Sequence, residues 1–235
     1  MAITFIANSS NNGFANSLDV TVVAPAAAQV GDLFVCCFAF DAQGAGSGPW
    51  VQTAPAGWFR IIYQAPSGTG SAIEVWATIN VIGGGSHFVF TNFYKGNVRE
   101  SVYRGFNPVN NAVLSLLADA QSAQTTGDNP VCPSATSDEN GSIGIACASN
   151  VLSGVGFGYP AGWTKRWDNS ESGSFGDIED CLGDKIGLGI GATGTVPLTA
   201  SVTPAGALGT TCTIVFRIDG ITATAVTLPF LGVGP

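Results

Sequence analysis

The tetrapeptide Pro-Ala-Gly-Trp occurs twice, at residues 55–58 and 160–163. The offset is 105 residues (160 − 55). Proline fixes φ, glycine supplies a backbone bend, and tryptophan buries a large ring as the chain re-enters a sheet. Pro55, Gly57, Trp58, Pro160, Gly162 and Trp163 therefore read as structural corners. A sugar-stacking tryptophan is the alternative. A corner used once per repeat predicts two related halves, residues 1–108 and 109–220, followed by a separate segment, 221–235.

The surroundings of each copy agree. Leu18-Asp19-Val20-Thr21-Val22 alternates with period 2, as a half-buried strand does. Gly31-Asp32 leads into eight consecutive apolar residues, Leu33 to Phe40. Such a run fits a strand buried on both faces, with a short buried helix as the competitor. Its Phe and Val content favours the strand. Gly141 to Ala148 takes the matching place in the second half. Ala72 to Ile79 alternates clearly, and Asp177 to Leu182 stands 105 residues beyond its start (177 − 72). Residues 111–118 fit either one or two helical turns or a strand. Short strands, Gly/Pro turns and no convincing amphipathic helix predict an all-β, antiparallel sandwich of jelly-roll type. The halves are either two sandwiches side by side or the two sheets of one.

Charged residues make up only 10% of the chain, against 46% hydrophobic. Soluble domains average about 25% charged. A surface this poor in charge favours a subunit of an assembly. With a net charge of −8 and no basic patch, nucleic-acid binding is not expected. No apolar run nears the roughly 20 residues of a membrane helix, and the N-terminal residues lack a signal-peptide pattern. Synthesis in a cytoplasm follows, and with it six reduced, buried cysteines. A Cys147–Cys212 disulfide stays open, because both fall in expected neighbouring strands.

No catalytic set emerges. His87 is the sole histidine and has no nucleophile motif around it. Asp177, Glu179, Asp180 and Asp184, with Asp168 and Glu171, form the densest acidic group. The readings are a solvated strand edge, or oxygen ligands for Ca²⁺ without EF-hand spacing. Arg104 and Arg217 sit at matching positions and either anchor carboxylates of their own half or rim an interface. The chain is expected to be non-enzymatic and to need no cofactor. Residues 222–235 carry no charge, yet include Leu228, Phe230 and Leu231. These three are the candidate interface. Either they cover their own domain's edge as a last strand, or they form an arm laid on a neighbouring subunit.

The series Leu18–Val22, Ala24-Pro25-Ala26, Gly31–Phe40, Pro55–Trp58, Ile73–Ala77 and Tyr103-Arg104-Gly105-Phe106-Asn107-Pro108 resembles β-rich structural proteins of tailed bacteriophages. With the second Pro-Ala-Gly-Trp and the strand ending at Phe216, the likeness covers most of residues 18–218. It implies a virion component made in the host cytoplasm. Proteins of this kind serve as capsid decoration (cement), fibre or tail parts. The leading expectation is a decoration protein held to other virion proteins, the major capsid protein first, as a homo-oligomer or in a lattice. The alternative is a tail or fibre module that binds host glycan through exposed aromatics, with Trp50 and Trp167 as candidate contacts.

Overall fold

The computed structural model describes residues 2–9, 12–41, 50–66, 70–79, 85–126, 129–151, 156–171, 178–201 and 208–221. The first half supplies β1 (Thr4–Asn8), β2 (Asn12–Val23), β3 (Leu33–Asp41), β4 (Val51–Thr53), β5 (Phe59–Gln64), β6 (Ser71–Ile79) and β7 (Gly85–Arg104). The second supplies β8 (Leu117–Thr126), β9 (Val131–Cys132), β10 (Thr136–Ser137), β11 (Ser142–Asn150), β12 (Phe157–Gly158) and β13 (Thr164–Glu171). It continues with β14 (Ile178–Leu188), β15 (Gly191–Ala192), β16 (Val196–Pro197), β17 (Thr199–Ala200) and β18 (Leu208–Phe216). The described residues contain no α-helix. The ambiguous stretch after Pro108 forms two short 3₁₀ turns, Val109–Asn111 and Val113–Ser115, and then β8.

The duplication is visible in the topology. One sheet runs β1-β7-β3-β6-β5 and the other β8-β18-β11-β14-β13, an identical order when equivalent strands are matched. All their ladders are antiparallel. Even the irregularities repeat. The register of β5 on β6 slips between Arg60 and Ile62, and that of β13 on β14 between Lys165 and Trp167. The register corrects one alignment: Glu74 lies opposite Tyr63 as Cys181 lies opposite Asp168. The offset in this strand is thus 107 (181 − 74), not the 105 of the corner, because the intervening loops differ in length.

The two sheets are the two layers of one sandwich. Odd-numbered Leu33, Val35 and Cys37 of β3 point into a core shared with Ile143, Ile145, Cys147, Leu182, Cys212, Ile214 and Phe216 of the opposite sheet. Even-numbered Phe34, Cys36, Phe38 and Phe40 point the other way. That outer face is also covered. The first part of β7 bends over it with β2 and β4, so that Phe88 and Phe90 meet Phe38 at centroid distances of 4.8 and 6.2 Å. Burial on both faces explains why β3 is a continuous apolar run. The second sheet has a smaller version of this cover. The short pairs β9–β16 and β12–β17 lie over Ala146, Ala148 and Cys181, enclosing Phe157, Val196 and Leu198.

The halves meet in register at both ends. At one end the Asn107 amide donates to the Ile218 carbonyl at 2.8 Å. At the other the Thr210 hydroxyl donates to the Ser71 carbonyl at 3.2 Å.

Candidate functional site

Both Pro-Ala-Gly-Trp copies are the same tight turn. The Trp58 amide donates to the Pro55 carbonyl at 3.2 Å, and the Trp163 amide to the Pro160 carbonyl at 3.1 Å. Gly57 and Gly162 take φ of 85° and 88°, the left-handed value that the third residue of a type II turn requires. The Thr78 hydroxyl ties the first turn to the sheet through the Gly57 carbonyl, at 2.7 Å. Trp58 is buried against Phe88 at 5.2 Å. Trp163 is half-buried against the second sheet's outer cluster. Neither ring stands free as a platform.

The two proposed glycan contacts are also inside, which corrects that expectation. Trp50 is fully buried, stacked on Phe40 at 5.5 Å and beside Tyr63 at 5.3 Å. Its amide donates to the Glu74 carboxylate at 2.5 Å. Trp167 lies in the inter-sheet core and its indole N–H donates to the Ser101 hydroxyl at 3.1 Å. A sugar ring needs an open aromatic face, and neither offers one. The physical reason is chain direction: Trp167 sits on a β13 position that points into the inter-sheet core, and Trp50, just before β4, turns into the aromatic outer layer of the first sheet.

Arg104 and Arg217 anchor carboxylates of their own half. Arg104 grips Asp32 through Nε at 2.7 Å and Nη2 at 2.8 Å. Arg217 reaches Asp138 through Nε at 2.8 Å and Nη2 at 2.5 Å. Each clamp ties the last long strand of its half to the loop that leads into the central strand.

The acidic strand is not a solvated edge. β14 lies between β13 and β11, and Glu179, Asp180 and Asp184 are buried. Asp184 accepts a two-pronged bond from Arg166, with Nε at 2.6 Å and Nη2 at 3.0 Å. The Arg166 guanidinium lies 4.1 Å over the Phe5 ring of the other sheet. Asp177 lies outside the described residues. Among the described residues no group of three His, Cys, Asp or Glu side chains is disposed to hold a metal ion.

The interior changes character along its length. Toward the Asp41 and Asn150 end, the inward positions of β7 are Asn97 and Arg99, those of β13 and β14 are Asn169 and Asp180, and those of β11 and β18 are Ser149 and Thr210. Asn97 donates through its amide to Asp180 at 2.8 Å and to the Ile178 carbonyl at 3.3 Å. Arg99 donates to Asn169 at 3.1 Å and to the Ser9 carbonyl at 3.0 Å. This seam joins the two sheets by polar contacts where the opposite end uses apolar ones. Burial pushes the Asp180 carboxyl up to about 8, against the pull of its Asn97 bond. One oxygen of Asp180 and the hydroxyls of Ser71 and Ser149 have no protein partner. Buried polar atoms in such a position are commonly satisfied by ordered water.

A second carboxyl is more isolated. Glu100 points from β7 into the outer layer of the first sheet, opposite Cys36 in the register. It is fully buried and neither carboxyl oxygen has a hydrogen-bond partner. Burial raises it from the ordinary 4.5 to about 8. It is a neutral acid at pH 7. Sequence reasoning missed Glu100, Asn97 and Arg99. The available signal was Arg99-Glu100 standing inside an otherwise strand-forming segment from Gly96 to Arg104.

All six cysteines are buried free thiols. Cys147 is directly opposite Cys212. Hydrogen bonding with Cys212 and with Cys37, then burial, push the Cys147 thiol well above its ordinary value. Such thiols are inert packing groups. His87 is exposed, 3.4 Å from Asp19 and 3.2 Å from the Thr21 hydroxyl. Leu228, Phe230 and Leu231 lie outside the described residues, as do the Gly-rich segments 42–49 and 152–155.

Comparison of the chain with protein-family models, with curated proteins and with solved structures finds no match.

Proposed function

We propose that the protein is a non-enzymatic structural component of a virion, a decoration protein that stabilises a capsid shell by bridging its subunits. The observation that carries this reading is the placement of charge. Of the eight basic residues, Arg104, Lys165, Arg166 and Arg217 are held in ion pairs within the molecule. Arg99 bonds inside the seam and Lys95 is buried. Most basic charge is thus already paired or buried, while Val23, Val30, Phe59, Val131 and Ile190 are exposed, Ile190 to 68%. A surface of that kind suits burial against other protein. Contact with capsid subunits would remove apolar area from water at about 25 cal/mol per Å², before the cost of association. The uncharged segment 221–235 adds apolar groups to the same task. The burial of Trp50 and Trp167 leaves the glycan-binding alternative without its contacts.

The test is binding to purified capsids that lack the protein, followed by cryo-electron microscopy. Ordered density at repeated positions on the shell is expected, with a higher temperature of capsid disruption. Absence from the shell, or density confined to the tail, refutes the reading. Removing residues 221–235 is expected to lower occupancy, and unchanged occupancy would refute their part in attachment.

A further inference from the structure

Among the described residues the two five-stranded layers of the sandwich end in four edge strands, and three of these are guarded. β1 has five residues and a bulge, and β5 has six residues and a bulge. β13 carries Lys165, Arg166, Asp168 and Glu171 and a bulge at Arg166. Charge, brevity and bulges are the devices that keep edges from pairing with other chains. β8 has none of them over most of its length. From Asp119 to Thr126 it runs in unbroken register with β18, and among the described residues its one ladder is with that strand. Asp119 is its single charge and is engaged by the Ala120 amide, the Gln121 side chain and the Thr136 amide. Beyond it, Ala120-Gln121-Ser122-Ala123-Gln124-Thr125-Thr126 offers an uncharged edge without proline or lysine.

A strand of matching chemistry exists in the same chain. The described residues end at Ile221, whose amide donates to the Ser115 carbonyl at 3.0 Å, close to the start of β8. From there the sequence reads Thr222-Ala223-Thr224-Ala225-Val226-Thr227-Leu228, uncharged and rich in β-formers, and Pro229 ends any ladder. The duplication says what this segment is. Arg217 is the equivalent of Arg104, an offset of 113 (217 − 104). The same offset sets Ala225-Val226 against Ala112-Val113 and Phe230-Leu231 against Leu117-Ala118. In the first half that stretch crosses over and supplies the other sheet with its edge strand. By the same symmetry the berth for the tail lies beside β7, and β1 already fills it.

We propose that residues 222–228 add as an antiparallel strand to the free β8 edge of a second copy of this chain. Addition to its own β8 is disfavoured by direction. A tail leaving beside Ser115 can run along its own β8 only in parallel, whereas every ladder among the described residues is antiparallel and the one parallel pairing is the isolated Asn107–Asp219 bridge. The main-chain bonds give affinity and the alternating side chains give register. The inference rests on the edge and the tail, not on the virion reading.

Two measurements test it. Sedimentation of the full chain should show concentration-dependent self-association, and removal of 222–235 should leave a monomer with an unchanged β-type circular dichroism spectrum. Chains carrying Ala123→Cys on β8 and chains carrying Ala225→Cys in the tail, mixed and mildly oxidised, should give a mixed disulfide dimer. Arg60→Cys, on the edge of the first sheet, should give none with the tail variant. A full chain that sediments as a monomer overturns the proposal. So does a mixture without cross-linked dimer when one chain bearing both cysteines cross-links within itself.

Discussion

Replacing Glu100 with glutamine should make the protein more stable at neutral pH and leave it little changed in acid. The unfolded chain ionises this carboxyl near 4.5, and the folded chain holds it neutral to about 8. Between those values folding takes up a proton. The folded-state value is raised, so the favourable contribution is complete below about pH 4.5, falls as pH rises, and is lost by about pH 8. Each pH unit in that window costs about 1.4 kcal/mol. The full shift of about 3.5 units therefore corresponds to about 5 kcal/mol at pH 8 and about 3 kcal/mol at pH 7, as upper limits. Glutamine keeps the shape and cannot ionise. Its buried amide also lacks partners, but that cost is the same at every pH. The informative quantity is thus the gap between variant and wild type at two pH values. Urea denaturation at pH 5 and pH 8 should show the gap widening by about 3 to 4 kcal/mol in favour of the variant. A gap that does not change with pH would mean that Glu100 is hydrated or ionised in the native state, and the burial reasoning would fail.

Asp180 should behave in the same sense, since burial raises it from 3.8 to about 8; Asp180→Asn should flatten the remaining fall of stability between pH 5 and pH 8, and an unaltered pH profile would refute this. Arg166→Ala strands the buried Asp184 carboxylate and removes the stack on Phe5, so thermal or urea melting should report a loss of about 3 kcal/mol, and a loss below about 1 kcal/mol would argue against a working buried ion pair. Gly57→Ala and Gly162→Ala should each cost about 1 kcal/mol in urea melts because both demand left-handed backbone; two neutral substitutions would contradict the shared turn. The six thiols should resist a thiol reagent in the native protein and all react in denaturant, whereas rapid native labelling of any one would place it at the surface.

Period-2 patterning made much of this fold legible. The apolar run of Leu33 to Phe40 announced a central strand, and the repeated corner announced the duplication. The acidic segment misled because alternation reports only that a face differs, not whether water or another sheet covers it. Glu179 and Asp184 look like a wet edge until β13 is placed alongside. Trp50 and Trp167 misled for the same reason: an aromatic beside a glycine-rich loop fits a binding platform or a lid on a core equally well. The polar seam could not be read at all, because Asn97 and Asp180 are 83 residues apart and meet only when the sheets close.

The amino-acid sequence by itself determined the strand class, the tight turns at Gly57 and Gly162, and the two-fold repetition, because these depend on local backbone preference and on the period of side-chain direction. Only the tertiary structure decided that the halves are two layers of one sandwich rather than two sandwiches. That choice turns on which faces find partners, and Leu33, Val35 and Cys37 find theirs in Ile145, Cys147 and Cys212 of the other half. It also decided that two carboxyls are enclosed as neutral acids and that β8, alone among the described ends of the two five-stranded layers, is left with an uncharged, unbulged edge from Ala120 to Thr126.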